Sequence, residues 1–219
     1  MTADGKFWDG IAEKYAAQPV KDVAAFARKQ AITREHLRPD SRVLEIGCGT
    51  GSLALAMSPF AGEIQALDVS AEMLRIANQK KQSQGLTNVT FRQGSASDLT
   101  TFEREHFDSV WAYSILHLVP DRRHTLEQIF ARLKPGGAFI SSNVCLAGSW
   151  IPYGALITLL RWFGKAPAIY NYDRATLLRE LREVGFVDID ERRRNPDLSR
   201  LVSSNCDRQE LLHALALQC

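Results

Sequence analysis

The stretch Arg42-Val-Leu-Glu-Ile-Gly-Cys-Gly-Thr-Gly51 decides how this 219-residue chain is read. Val43, Leu44 and Ile46 make a short apolar run, which Glu45 interrupts near its C-terminal end. Three glycines follow at alternate positions: Gly47, Gly49 and Gly51. From Thr50 to Phe60 the apolar residues Leu53, Ala54 and Met57 take up a helical spacing. A buried strand, a glycine turn and a helix start are therefore expected in immediate succession. Such a turn presents bare backbone N–H groups and a helix N-terminus to a ligand beside it. Glycine suits it because a Cβ would block φ > 0 or the ligand's close approach.

Working outward, the N-terminal side carries two helical patterns, 6–15 and 20–37, punctuated by Pro19. On the C-terminal side, residues 64–69 read as a second strand that ends around Asp68. Ser70 is a good N-cap for a helix reaching about Gln84, and Gly85 stops it. A third strand at 89–92 leads into Gly94-Ser-Ala-Ser-Asp98, and a fourth spans 107–112. A helix at 121–133 precedes Lys134-Pro-Gly-Gly137, which turns the chain into a fifth strand at 138–144. Asp173 caps a further helix ending at Gly185. Residues 186–192 and 198–204 read as a closing antiparallel pair, and 211–217 as a short terminal helix. Alternation of this kind predicts an α/β fold with a mostly parallel sheet covered by helices on both faces.

Length and a 45% hydrophobic content suit one domain over 1–219 with one substantial core. Its expected parts are an N-terminal helical cap (1–40), a core (41–144), an apolar insertion (145–172) and a C-terminal helix with closing strands (173–219). A net charge of +2 implies no general pull toward nucleic acid. The four cysteines show neither C-x-x-C nor Cys/His metal spacing, so no metal is expected. The N-terminus is too polar and acidic for a signal peptide, and reduced thiols in a cytoplasm are the default. Residues 136–160 carry no charge, but Gly148, Pro152 and Gly154 break a spanning helix there.

Glu-x-Gly-x-Gly-x-Gly, from Glu45 to Gly51, resembles motif I of the class I S-adenosylmethionine (SAM)-dependent methyltransferases. It departs from the Gly-x-Gly-x-x-Gly dinucleotide fingerprint. Phe107 to Asp121 and Lys134-Pro-Gly-Gly-Ala-Phe139 also resemble this family, and the opening Phe7-Trp-Asp-Gly-Ile-Ala-Glu-Lys-Tyr15 is similar to its small-molecule members, including those of the ubiquinone/menaquinone type. The resemblance implies a Rossmann-like, doubly wound sheet of seven strands, the last antiparallel, with S-adenosyl-L-methionine as cofactor. Glu45, Gly47, Gly49 and Gly51 then belong to the cofactor turn.

Asp68, 17 residues after Gly51, is at a reasonable distance to face the ribose of a nucleoside cofactor and accept from both hydroxyls; the alternative is a helix-capping or solvated loop acid. In the family a side chain just after this acid flanks the adenine; Val69 and Met73 are the candidates here, either of them equally placed to be core, with Ser95 or the Ala96 backbone to contact the adenine edge. Many relatives carry an acid where Ser95 stands; here the acid comes only at Asp98, which is equally placed to cap a helix. Tyr113 is a cofactor candidate through its backbone. Tyr15 either closes over the cofactor or simply packs.

Methyl transfer from a sulfonium is an in-line displacement, so alignment and exclusion of water matter most and a base is optional. His117, a few residues past the fourth strand, is the candidate base; the alternative is a histidine packed under the loop by Leu116 and Leu118. The insertion, with Trp150, Ile151, Tyr153, Leu156, Leu159, Leu160, Trp162, Phe163, Tyr170 and Tyr172, reads as a lid, a cap on the sheet or a peripheral membrane contact. Its apolar bias points to a lipid-like or aromatic small-molecule acceptor. The fourth-strand loop reads Ala-Tyr-Ser-Ile rather than Asn/Asp-Pro-Pro-aromatic, which argues against nucleic-acid amines as acceptors. Two other readings share these features: a nicotinamide-dependent oxidoreductase and a SAM-binding protein that transfers no methyl group.

Overall fold

The computed structural model describes residues 3–18, 22–145, 167–170, 172–193 and 210–218. Two helices come first, α1 (Ala3–Ala17) and α2 (Val23–Glu35), the second capped by Asp22, whose carboxylate accepts from the Ala25 N–H at 2.8 Å. Then follow β1 (Arg42–Ile46), α3 (Ser52–Met57), β2 (Glu63–Asp68), α4 (Ala71–Ser83) and β3 (Val89–Gln93). The chain continues through β4 (Phe107–Tyr113), α5 (Arg122–Arg132), β5 (Leu133–Cys145), α6 (Arg174–Val184), β6 (Phe186–Arg193) and β7 (Glu210–Gln218).

The seven strands form one sheet in the order β3-β2-β1-β4-β5-β7-β6. Neighbours from β3 to β5 pair in parallel, whereas β7 runs antiparallel to both β5 and β6. The expected Rossmann-like sheet with an antiparallel last strand is thus present. Its order reverses between β1 and β4, so one half of the sheet winds away from β1 on each side.

Each central strand is buried on both faces, the environment of a parallel sheet between two helical layers. Leu44, Ile46, Val110, Ala112 and Phe139 point to one face, where they pack with Leu126 and Ile129 of α5 and Leu177 and Leu181 of α6. Val43, Ile64, Ala66, Trp111 and Ile140 point to the other, with Leu53 and Met57 of α3 and Leu74 of α4. The alternation follows from the period of two along a strand. α1 lies outside α4, its Ala12 packed on Met73 and Ile76.

The helix ends follow their capping residues. Ser70 Oγ accepts from the Met73 N–H at 3.1 Å and Asp173 Oδ1 from the Thr176 N–H at 2.7 Å.

The C-terminal region corrects the sequence reading. Residues 210–218 are a strand, not a terminal helix: Leu211 to Leu217 is apolar except for His213, a run with no period to separate the two states. Its place between β5 and β6 decides the matter. The partner expected at 198–204 lies outside the described residues. Lys134-Pro-Gly-Gly137 is an irregularity inside β5 rather than a turn before it, because pairing jumps from Phe107↔Leu133 to Ser109↔Ala138.

Candidate functional site

The carboxyl ends of β1, β2 and β4 meet where the strand order reverses, the usual ligand position in such sheets. A cavity of about 320 Å³ lies there. Gly47 and Gly49 after β1, Asp68 and Val69 after β2, Met73 of α4, Gly94 to Ser97 after β3, and Tyr113 and Ser114 after β4 form much of its wall. Trp8 and Tyr15 of α1 contribute to the same wall, while Ile115, Leu118, Val119, Pro120, Pro167 and Ala168 line it with apolar surface.

The glycine turn is tied to the next strand. Cys48 N–H donates to Leu67 O at 2.8 Å, and Gly49 N–H donates to Asp68 Oδ2 at 2.7 Å. The other carboxylate oxygen, Oδ1, accepts from Ser70 N–H at 2.9 Å. Each oxygen retains acceptor capacity beyond the bond it makes. Burial pushes the Asp68 carboxyl above its usual range, opposed by the N–H groups of Ser70, Gly49 and Val69.

Two glycines of this turn serve different ends. Gly49 has φ +53°, and a Cβ built on it would meet no atom within 4 Å: the backbone opens onto a cradle that a ligand can approach. At Gly51, φ is +74° and a Cβ would stand 2.5 Å from Phe91 Cζ and 3.0 Å from Ala77 Cβ. Gly51 is absent from the cavity wall and lets the turn pack against β3 and α4.

Glu45 also stands off the cavity. It is 4% exposed, on the Val43 face of β1. Burial pushes its carboxyl up to about 8, against the opposing effects of the Lys29 charge and the Ala54 N–H. Its Oε2 makes no hydrogen bond. Beside it, the Tyr113 hydroxyl shares a 2.6 Å hydrogen bond with the Thr33 hydroxyl of α2, and Lys29 Nζ lies 4.6 Å from the Tyr113 ring centroid.

His117 is not brought to the cavity wall. Its Nδ1 is buried without a hydrogen bond, burial lowers its pKa, and its carbonyl accepts from the Tyr170 N–H at 2.8 Å. Asp98 accepts from Thr100 N–H and hydroxyl at 3.1 and 2.6 Å, which is a local turn. Tyr15, Gly47, Gly49, Asp68, Val69, Met73, Ser95, Ala96 and Tyr113 meet on one surface, whereas Glu45, Gly51 and His117 do not.

Residues 37–166, well over half of the chain, match the family of methyltransferase domains. The chain belongs to the SAM-dependent methyltransferase family. It is 30% identical over 217 residues to a demethylmenaquinone methyltransferase of Symbiobacterium thermophilum, covering 84% of this chain and 85% of the relative. An uncharacterized methyltransferase of Bacillus subtilis, YcgJ, is 33% identical over 128 residues, which are 57% of this chain and 50% of the relative. The match thus spans only about half of some curated relatives. The YcgJ crystal structure superposes with a TM-score of 0.69 at 18% identity, over 88% of this chain and 98% of that one. A phosphoethanolamine N-methyltransferase of Haemonchus contortus, solved with SAM, gives 0.71 at 19% identity, over 88% of this chain and 52% of that one.

Several wall residues of this methyltransferase were not singled out in the sequence. Trp8 had a signal: Trp8, Ala12 and Tyr15 are spaced i, i+4, i+7 and share one helix face. Leu118, Val119 and Pro120 had none, because an apolar loop reads as packing. Pro167 and Ala168 stand beside residues with tertiary ties that no local pattern announces. Tyr170 bonds to His117, and the Arg122 guanidinium lies 3.8 Å from the Tyr172 ring. Arg122 also forms a bidentate pair with Glu180 of α6 at 2.6 and 2.8 Å. Of the insertion at 145–172, read as lid, cap or membrane contact, residues 146–166 and 171 lie outside the described residues. Among the described residues no helix is long and apolar enough to cross a membrane.

Proposed function

We propose that this chain transfers the methyl group of SAM to a small apolar acceptor. The observation that carries the reading is the open backbone at Gly49, hydrogen-bonded to Asp68, in the wall of a cavity that apolar side chains also line. Asp68 accepts from the ribose hydroxyls with the lone pairs its two backbone bonds leave over. Val69 and Met73 flank the adenine, and Ser95 and the Ala96 backbone face its edge. Gly47 and Gly49 lie along the amino-acid portion, with the buried Glu45 beneath as a source of negative potential once ionised. Tyr113 and Tyr15 complete the enclosure.

When bound, SAM supplies a methyl group already activated on a sulfonium sulfur. The protein's task is alignment and dryness. Ile115, Leu118, Val119, Pro120, Pro167 and Ala168 exclude water and seat an apolar ring. Holding reactants in line is worth roughly 7–11 kcal/mol in favourable cases, against about 3–5 kcal/mol for a general base. His117, one residue from the wall at Leu118, is an auxiliary base candidate at most. Several relatives carry the name demethylmenaquinone methyltransferase, and a reduced quinone ring suits this apolar surface.

The test is transfer of label from methyl-tritiated SAM to a panel of reduced quinones and phenols, with phosphoethanolamine as the polar comparison. Label should enter an apolar aromatic acceptor and not phosphoethanolamine. Affinity for S-adenosylhomocysteine without transfer to any acceptor would instead favour a SAM-binding protein that performs no methylation.

A further inference from the structure

Asp9 of α1 is absent from the cavity wall, yet it is hydrogen-bonded toward it. Its Oδ1 accepts from the Ser70 hydroxyl at 2.6 Å and from the Glu72 N–H at 3.1 Å. A carboxylate from one helix therefore sits at the N-terminus of another, α4, where charge-assisted bonds and the helix dipole both favour it. Ser70 passes the connection on. Its N–H donates to Asp68 Oδ1 at 2.9 Å, and Asp68 Oδ2 accepts from Gly49 N–H at 2.7 Å. Asp9, Ser70, Asp68 and Gly49 thus form an unbroken series of hydrogen bonds from the N-terminal helix to the open glycine.

The helix that Asp9 anchors also carries Trp8 and Tyr15, which line the cavity, and Ala12, which is 1% exposed against Met73 and Ile76. One carboxylate is tied to both the wall contributed by α1 and the acid at the end of β2. The second tie between α1 and α4 is different. The Arg75–Glu13 pair lies at the surface, with side chains 41% and 77% exposed, and has no bond to Ser70. Exposed pairs of that kind contribute little.

We propose that Asp9 is a positioning residue for the nucleoside cofactor, a latch that seats α1 over the cavity and holds Ser70 and Asp68 in register at once. This rests on the reading of the cavity as a SAM site. Loss of the latch lifts α1 and loosens Asp68 together, so a bound nucleoside leaves faster while its arrival is little changed.

The test uses S-adenosylhomocysteine, with its affinity from calorimetry and its association and dissociation rates from stopped-flow fluorescence. Asp9→Ala should raise the Kd about tenfold or more, since charge-assisted bonds are lost, with most of the change in the dissociation rate. Asp9→Asn, whose amide oxygen can accept the same two bonds, should stay within about threefold of wild type. Ser70→Ala cuts the series from the other side, so it tests the idea even if Asp9→Ala does not fold. The double variant should be clearly less than additive. Arg75→Ala, which loosens the same helices without touching the series, should change the Kd less than about twofold.

Wild-type affinity in Asp9→Ala, or an Arg75→Ala variant as weak as Asp9→Ala, would overturn the latch while leaving the cofactor reading intact. Absence of affinity in the wild type would overturn the cofactor reading and the latch with it.

Discussion

Part of the cavity wall is main chain and one carboxylate, held by hydrogen bonds of 2.7 to 2.9 Å between neighbouring strand ends. Another part is apolar side chains from the β4–α5 loop and from residues 167 and 168. The first part is specified locally, since a strand, a glycine turn and an acid one strand away dictate it wherever this sheet forms. The second is assembled from segments some fifty residues apart and held by ties such as Arg122 to Glu180. A fold can therefore keep its donor end while its acceptor end is rebuilt by loop changes. That is the physical sense in which function resides in the site rather than in the architecture.

The contrast breaks most readily at Asp68. Asp68→Ala should weaken S-adenosylhomocysteine binding by about a hundredfold, because two charge-assisted bonds are lost and two backbone donors are left without their acceptor. An affinity within tenfold of wild type in calorimetry would remove Asp68 from the ribose role.

The two glycines sharpen the comparison inside the turn. Gly51→Ala forces a methyl into Phe91 and should cost about 2–3 kcal/mol, seen as a fall in Tm of roughly 5–10 °C. Gly49→Ala meets open space, so its stability cost should be limited to the left-handed backbone, about 1–2 kcal/mol. Its larger effect should be on S-adenosylhomocysteine affinity. The reverse ranking would exchange the roles of the two residues.

Beneath the donor end, Glu45 gives a pH signature. Its folded-state pKa of about 8 lies above the ordinary 4.5, so the folded protein retains a proton that the unfolded chain releases. Its contribution to stability is whole below about pH 4.5 and is lost as pH rises through 8. In the ligand-free protein, wild type should therefore lose more Tm between pH 6 and 8.5 than Glu45→Gln does. Parallel Tm curves for the two proteins would rule this out.

The smallest effect is expected at His117. With its ring off the wall, His117→Ala should lower methyl transfer less than tenfold and leave S-adenosylhomocysteine binding unchanged. A loss of about 10²–10⁴-fold would instead mark a general base.

Much of this was readable from the chain because its signals are local. β1, the glycine turn, Asp68, the Ser70 cap and the Gly185 stop each announce themselves within a few residues. β7 was not legible, since an apolar run has no period and only its neighbours in the sheet decide its state. Glu45 and Gly51 carry the motif's pattern, but only the third dimension shows that they face the core and Phe91 rather than the cavity. The Asp9 to Ser70 bond spans 61 positions in sequence, and no spacing rule reaches that far.

What occupies the donor end decides the chemistry. Calorimetric titration of the wild-type protein with S-adenosylhomocysteine, beside a nicotinamide dinucleotide, tests it most directly. Saturable one-to-one binding of S-adenosylhomocysteine, weakened about a hundredfold in Asp68→Ala and absent for the dinucleotide, is the expected result. Tight binding of the dinucleotide with no affinity for S-adenosylhomocysteine would contradict it.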